Sequence, residues 1–186
     1  MGMQLVKCHH VLKYDINQAY DFTINEHDII CISGKNGSGK TTLTRLILGY
    51  IEPDYGYIDR KKLKIGYLPE HIQFPMFMKV NRYLELLSKI KKTTLNLKWL
   101  AMLELPIHKY IYELSNGNKQ KLGIISACMG NPDLIILDEP LAALDELGRK
   151  QFIQMIESLK EKGQTMMIIT HFPSVIRPLC NKQIKL

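Results

Sequence analysis

Residues 29–47 read Ile29-Ile30-Cys31-Ile32-Ser33-Gly34-Lys35-Asn36-Gly37-Ser38-Gly39-Lys40-Thr41-Thr42-Leu43-Thr44-Arg45-Leu46-Ile47. An apolar run, a glycine-rich turn and an amphipathic segment follow one another without a break. The first, Ile29 to Ile32, has the uninterrupted hydrophobicity of a strand covered on both faces. The last places Leu43, Leu46 and Ile47 on one helical face. Between them, Gly34 to Thr41 fits the pattern G-x-x-x-x-G-K-[ST] in the strand-to-helix setting that this pattern requires. The glycines let the backbone curl so that successive N–H groups point at a polyphosphate, and the helix N-terminus adds the positive end of its dipole. Gly34, Asn36, Gly37, Ser38, Gly39, Lys40, Thr41 and Thr42 are the candidate phosphate contacts. Lys40 is placed to reach the β- and γ-phosphates, and the Thr41 hydroxyl to ligate Mg²⁺.

Outward from this turn the same grammar recurs. Ile65-Gly66-Tyr67-Leu68, Leu134-Ile135-Ile136-Leu137 and Met166-Met167-Ile168-Ile169 are further buried-strand runs, separated by helical patterns. That alternation predicts an α/β fold with a mainly parallel sheet flanked by helices. Phe152, Met155, Ile156 and Leu159 predict a helix from about 145 to 162 with Gly163 at its end. A second is expected from Lys119 to Met129, stopped by Gly130-Asn131-Pro132. From about Met78 to Glu113 the spacing is helical with no strand, which reads as a helical insert. The run 134–137 ends in Asp138-Glu139-Pro140, two acids where a strand of an open α/β sheet delivers its ligands. Neighbouring strand residues point to opposite sides, so the two acids are expected to divide the work. Asp138 suits a Mg²⁺ ligand through water, and Glu139 suits the base that polarises an attacking water.

A chain of 186 residues with 46% hydrophobic content can bury a core as one domain, and no linker divides it. Its 25 basic against 18 acidic residues, a net charge of +7, permit contact with phosphates or anionic surfaces without specifying one. Cys8, Cys31, Cys128 and Cys180 form no CxxC pair and are expected as reduced thiols in the cytoplasm. No apolar stretch approaches the about 18 to 20 residues that cross a bilayer, and the N-terminus does not have the layout of a signal peptide.

With those two sites in place, the chain resembles the ATP-binding subunits of ABC transporters along nearly its full length. Leu114-Ser115-Asn116-Gly117-Asn118-Lys119-Gln120 looks like the family's signature motif, Ala143-Leu144-Asp145 like its D-loop, and Thr170-His171 like its switch histidine. Ile65-Gly66-Tyr67-Leu68-Pro69-Glu70 is similar to its Q-loop, with Glu70 where glutamine is usual. The resemblance implies a P-loop NTPase with a small helical subdomain at about 71–121 and a reduced N-terminal β region, all within one domain, 1–186. It implies ATP and Mg²⁺ as ligands, with Glu139, His171 and Lys40 catalytic, and Thr41, Asp138 and Glu70 around the metal. Tyr14 is the match for the aromatic residue that stacks on adenine, with Tyr20 as a competitor.

Ser115, Asn116, Gly117 and Asn118 would act on the γ-phosphate of a second subunit, so the site is expected to need a homodimer or a paired ABC ATPase. Glu70 resembles the same substitution in ABC-2-type exporter subunits, which implies export through a separately encoded membrane-spanning subunit. Attachment to the inner face of the cell membrane through that partner is the expected location. The chain looks short between phosphate loop and signature and after His171, so an appended regulatory domain is not expected. The alternative is a soluble ABC ATPase acting on nucleic acid or ribosomes. Its relatives carry coiled-coil insertions or two domains with a charged linker, which this chain does not have, so nucleic acid is not the expected partner.

Overall fold

A computed structural model describes residues 2–14 and 19–186. Its centre is a five-stranded parallel sheet with the order β5-β6-β7-β3-β8, formed by Ile65–Leu68, Leu134–Asp138, Met166–Ile169, Ile29–Ser33 and Lys182–Lys185. All four apolar runs are strands, and three of them, β3, β6 and β7, lie inside the sheet, where both faces are covered. In register, Ile135 pairs with Met166 and Cys31 with Ile168, so the carboxyl ends of β3, β6 and β7 come out on one edge. That edge is where residues following a strand can meet. Beside this sheet lies an antiparallel one, β2-β1-β4, built from Tyr20–Asn25, Gln4–Leu12 and Tyr55–Arg60.

Strand β8 is absent from the sequence reading. Lys-Gln-Ile-Lys alternates between half-buried and exposed positions and pairs with β3 alone, so its hydrophobic signal is a single isoleucine. Edge strands with charged residues blunt further pairing, which is the physical reason that this one looks like coil.

The helices cover both faces. Helix α1, Lys40–Leu48, is closed by Gly49 in the left-handed region with φ 75°. Helix α5, Glu146–Glu161, presents Phe152, Met155, Ile156 and Leu159 to the core. Helix α4 runs from Asn116 to Cys128, so it starts three residues before the expected Lys119. The reason is local: Ser115 is its N-cap, with Oγ accepting the Asn118 N–H at 3.2 Å, and a capping serine sets the start more firmly than the first apolar residue does. Helices α2 (Val80–Ile90) and α3 (Leu97–Met102) and a 3-10 turn at Ile111–Glu113 make up the segment read as helical. They do not form a separate core. Leu84, Trp99, Leu103 and Ile111 belong to the same buried cluster as Leu68, Leu137 and Phe152. A short helix, α6, spans Pro173–Ile176 behind β7.

All four cysteines are free thiols, and Cys8, Cys31 and Cys128 are buried.

Candidate functional site

The turn after β3 takes the conformation that its glycines permit: Gly37 and Gly39 have φ 80° and 93°, in the region that costs other residues about 1 kcal/mol or more. Lys40, the first residue of α1, is only 9% exposed. Its ammonium curls back over the turn and donates to the carbonyls of Gly34 and Lys35, each at 2.9 Å. The Ser38 hydroxyl is buried with no hydrogen-bond partner.

Across the sheet edge, β6 delivers Asp138 and Glu139, with side chains 3% and 5% exposed as residues. Glu139 sits at φ 49°, a left-handed conformation uncommon for a side-chain-bearing residue, while its N–H donates to the Ile169 carbonyl of β7 at 2.9 Å. The strand therefore ends by bending at Glu139. His171 follows β7 after a single residue, Thr170. Its N–H donates to Glu139 Oε2 at 3.2 Å. Its Nε2 lies 3.3 Å from Oε1, close enough for an ion pair but not aligned as a hydrogen bond, so Oε1 is left buried and unpaired. Burial, with Glu70 and Glu139 adding negative charge, pushes the Asp138 carboxyl up to about 6. Burial also raises Glu139, against the pull of the His171 N–H and ring. A raised carboxyl is a stronger base than an ordinary one.

Asn36, Gly37, Gly39, Lys40, Thr41, Thr42, Glu70, Asp138, Glu139 and His171 line one open cavity of about 320 Å³. Three carboxylates facing one another with Lys40 nearby, and an orphaned Glu139 oxygen, make a hard-oxygen, electron-rich wall that fits a divalent cation. Among the described residues no group of three or more His, Cys, Asp or Glu is arranged to hold a metal by itself. Mg²⁺ takes one or two protein oxygens, which Asp138 and Thr41 on this cavity could provide, and completes its shell with phosphates and water.

The remaining candidates lie elsewhere. Ser115 and Asn116 are exposed at the start of α4 and do not line this cavity. Gly117 lies against the loop after β6, where an added Cβ would sit 3.0 Å from the Ala143 carbonyl oxygen. Asp145 caps α5, its Oδ1 accepting the Gly148 N–H at 2.7 Å. The two tyrosines separate cleanly. Tyr20 is 2% exposed in the core and donates its hydroxyl to the Gly39 carbonyl at 3.2 Å, so it has no free face for a base. Tyr14 is 73% exposed, with its ring edge-on to Tyr55 and its N–H donating to Asp54 at 2.8 Å.

Two residues without an assigned role in the sequence, Gln120 at the end of the signature stretch and Arg149 on α5, touch the backbone that carries the site. Gln120 donates from Nε2 to the Glu139 carbonyl at 3.1 Å, and Arg149 donates to the Leu144 carbonyl at 3.2 Å while its guanidinium lies 4.7 Å from the Phe172 ring centre. Gln120 lies within the quoted signature stretch, but its burial and its contact with Glu139 become visible only once the helix phase is known. Arg149 carries no signal, being one exposed-looking cation on an amphipathic helix.

The sequence pattern of the family described as ABC transporter matches residues 18–142. Among curated proteins the chain is similar to an uncharacterized ABC transporter ATP-binding protein of Methanocaldococcus jannaschii, 37% identical over 169 residues. The match takes in 87% of this chain and 64% of that protein, so the chain spans less than two thirds of this relative's length. It is also 37% identical over 165 residues to a zinc import ATP-binding protein of Rickettsia conorii, covering 86% of this chain and 70% of that one. Among solved structures, a dimeric ATP-binding cassette in a post-hydrolysis state, bound to ADP and Pi, matches with a TM-score of 0.82. The two are 25% identical, over 98% of this chain and 94% of the other. The export direction expected from Glu70 finds no support in these relatives, since the one whose name states a direction is an import protein.

Proposed function

Because the chain belongs to the ABC transporter family of ATP-binding proteins, we propose that it binds and hydrolyses MgATP in a two-subunit sandwich and thereby drives transport through a separate membrane-spanning subunit. The observation that carries this reading is the convergence of Lys40, Thr41, Asp138, Glu139 and His171 on one cavity at the carboxyl edge of the sheet.

In this reading the N–H groups from Asn36 to Thr41 hold the β- and γ-phosphates, and Lys40 exchanges the Gly34 and Lys35 carbonyls for phosphate oxygens. Thr41 and Asp138, with Glu70 beside them, would hold Mg²⁺, which supplies neutralising charge on the phosphates. Glu139 orients the water and takes its proton, and the His171 N–H fixes the direction of its carboxyl. Tyr14 offers its exposed ring to the adenine. The start of α4, at Ser115 to Asn118, provides donors and a positive dipole end for the γ-phosphate held by the other subunit. Loss of that phosphate on hydrolysis removes part of the interface, which turns a bond cleavage into a motion.

Of the two directions, inward movement has the support of a named relative, the zinc import protein. Glu70, on which export rested, lines the nucleotide cavity. For the partner, the exposed aromatic cluster is the supporting surface. Phe77 is 88% exposed, its ring 6.0 Å from that of Tyr112, which stacks on Tyr110 with Lys79 above it. Aromatic rings so exposed mark interaction sites. Through such a partner the chain would sit at the membrane; among the described residues no helix is long and apolar enough to cross one.

Purification of the tagged protein from its native cell in mild detergent tests this reading. A polytopic membrane protein is expected to co-purify, and to be lost when Phe77 and Tyr112 are both changed to Ser. A nuclease-sensitive association with ribosomes or DNA instead would contradict the transport reading.

A further inference from the structure

Helix α4 touches the catalytic segment twice. At residue 117 the helix backbone lies so close to the loop after β6 that a side chain there would press on the Ala143 carbonyl at 3.0 Å. One turn on, Gln120, 6% exposed, donates from Nε2 to the carbonyl oxygen of Glu139 at 3.1 Å. Positions 117 and 120 are three apart and share a face, so the first two turns of α4 lie along the stretch from Glu139 to Leu144. That stretch is itself a closed unit, with the Ala142 N–H on the Glu139 carbonyl at 3.2 Å and the Leu144 N–H on the Leu141 carbonyl at 3.2 Å.

Core filling does not account for the amide of Gln120. The Glu139 carbonyl already has a donor in Ala142, so its burial does not demand a second. The neighbours of Gln120 on α4, Leu122, Ile124 and Ile125, are apolar and buried, and a methionine would fill the same space without the cost of dehydrating an amide. What the amide adds is direction. It holds the peptide of a residue at φ 49°, where a small rotation about the backbone turns the carboxyl away from His171.

We propose that Gln120 is a positioning residue that ties the signature end of α4 to Glu139, so that an anion held at Ser115 and Gly117 is felt at the base of the same chain. The proposal rests on the sandwich reading above. There, the signature end of one chain meets the γ-phosphate bound by the other. Each Gln120 then links the nucleotide of one site to the base of the other, and the two sites fire together because a rigid helix joins them.

The test is ATP turnover against ATP concentration for the wild type and for Gln120→Met, which keeps length and removes the donor. Binding of a fluorescent ATP analogue and thermal unfolding are measured alongside. The wild type is expected to be cooperative, with a Hill coefficient of about 1.5 or above. Gln120→Met is expected to bind the analogue within about twofold of wild type, to lose about tenfold in kcat, and to fall to a Hill coefficient of about 1. If Gln120→Met unfolds, Gln120→Leu takes its place, since it also removes the donor. A folded variant that stays as cooperative as the wild type overturns the proposal, whether or not kcat drops, because a merely structural role would lower kcat alone. A wild type that hydrolyses ATP without cooperativity also overturns the proposal but leaves the sandwich reading standing, since that reading is decided separately by whether Glu139→Gln forms an ATP-dependent dimer.

Discussion

Asp138 and Glu139 are adjacent in sequence, yet their carboxyls meet different neighbours because β6 ends between them. Asp138 is the last strand residue, buried among like charges, and Glu139 bends out at φ 49° to receive the His171 N–H. The pair of acids at a strand end was legible in the sequence, but strand alternation is not what separates them: β6 stops at Asp138, and both acids line the same cavity. What the sequence could not contain was the strain at Glu139, which depends on β7 supplying the Ile169 carbonyl and His171 from about thirty residues away. The Asp138 carboxyl, raised to about 6 by burial and by Glu70 and Glu139, makes a stability prediction. A folded-state value above the usual carboxylate range means stability that is complete below the ordinary value and lost as pH rises through about 6. Asp138→Asn removes that loss. In nucleotide-free protein it is expected to raise the unfolding free energy at pH 7.5 by on the order of 2 kcal/mol. The gain should vanish near pH 4, while ATP turnover is abolished. Urea unfolding of both proteins across this range checks it; equal stability at pH 7.5 would mean that the buried carboxylate carries no penalty.

At the scale of elements, the sheet was readable because four strands are continuous apolar runs, a signal that burial on both faces imposes. β8 was not, because an edge strand needs neither continuity nor many apolar residues. The start of α4 lies three residues before the expected Lys119 because the Ser115 side chain caps the helix. The contact between α4 and the sheet turns on one glycine that no periodicity marks. A Cβ at Gly66 of β5 would meet the Ala127 carbonyl oxygen of α4 at 2.0 Å, and neither strand nor helix backbone can yield. At Gly123, on the same helix, the obstructing atoms are the tips of Leu68 and Ile72 at 2.6 Å, which can rotate. Gly66→Ala is therefore expected to destabilise by about 3 kcal/mol or more, and Gly123→Ala by roughly 1 to 2 kcal/mol. Thermal unfolding of the two variants would reverse this account if Gly123→Ala were the worse.

For the whole molecule, Ser115 and Asn116 at the start of α4 are exposed and do not line the catalytic cavity. In the proposed sandwich, one chain would hold both halves of a nucleotide clamp without bringing them together. Two chains related by a two-fold axis can pair cavity with helix start twice, closing two sites at once. This is the claim on which turnover, cooperativity and force on a membrane partner all depend. Its most direct test is Glu139→Gln, which keeps the phosphate loop, Asp138 and the start of α4 but has no base to take the proton. Sedimentation of this variant with saturating MgATP is predicted to show a dimer that disperses to monomers when ATP is removed. A Glu139→Gln protein that binds ATP fully and remains monomeric would contradict the account.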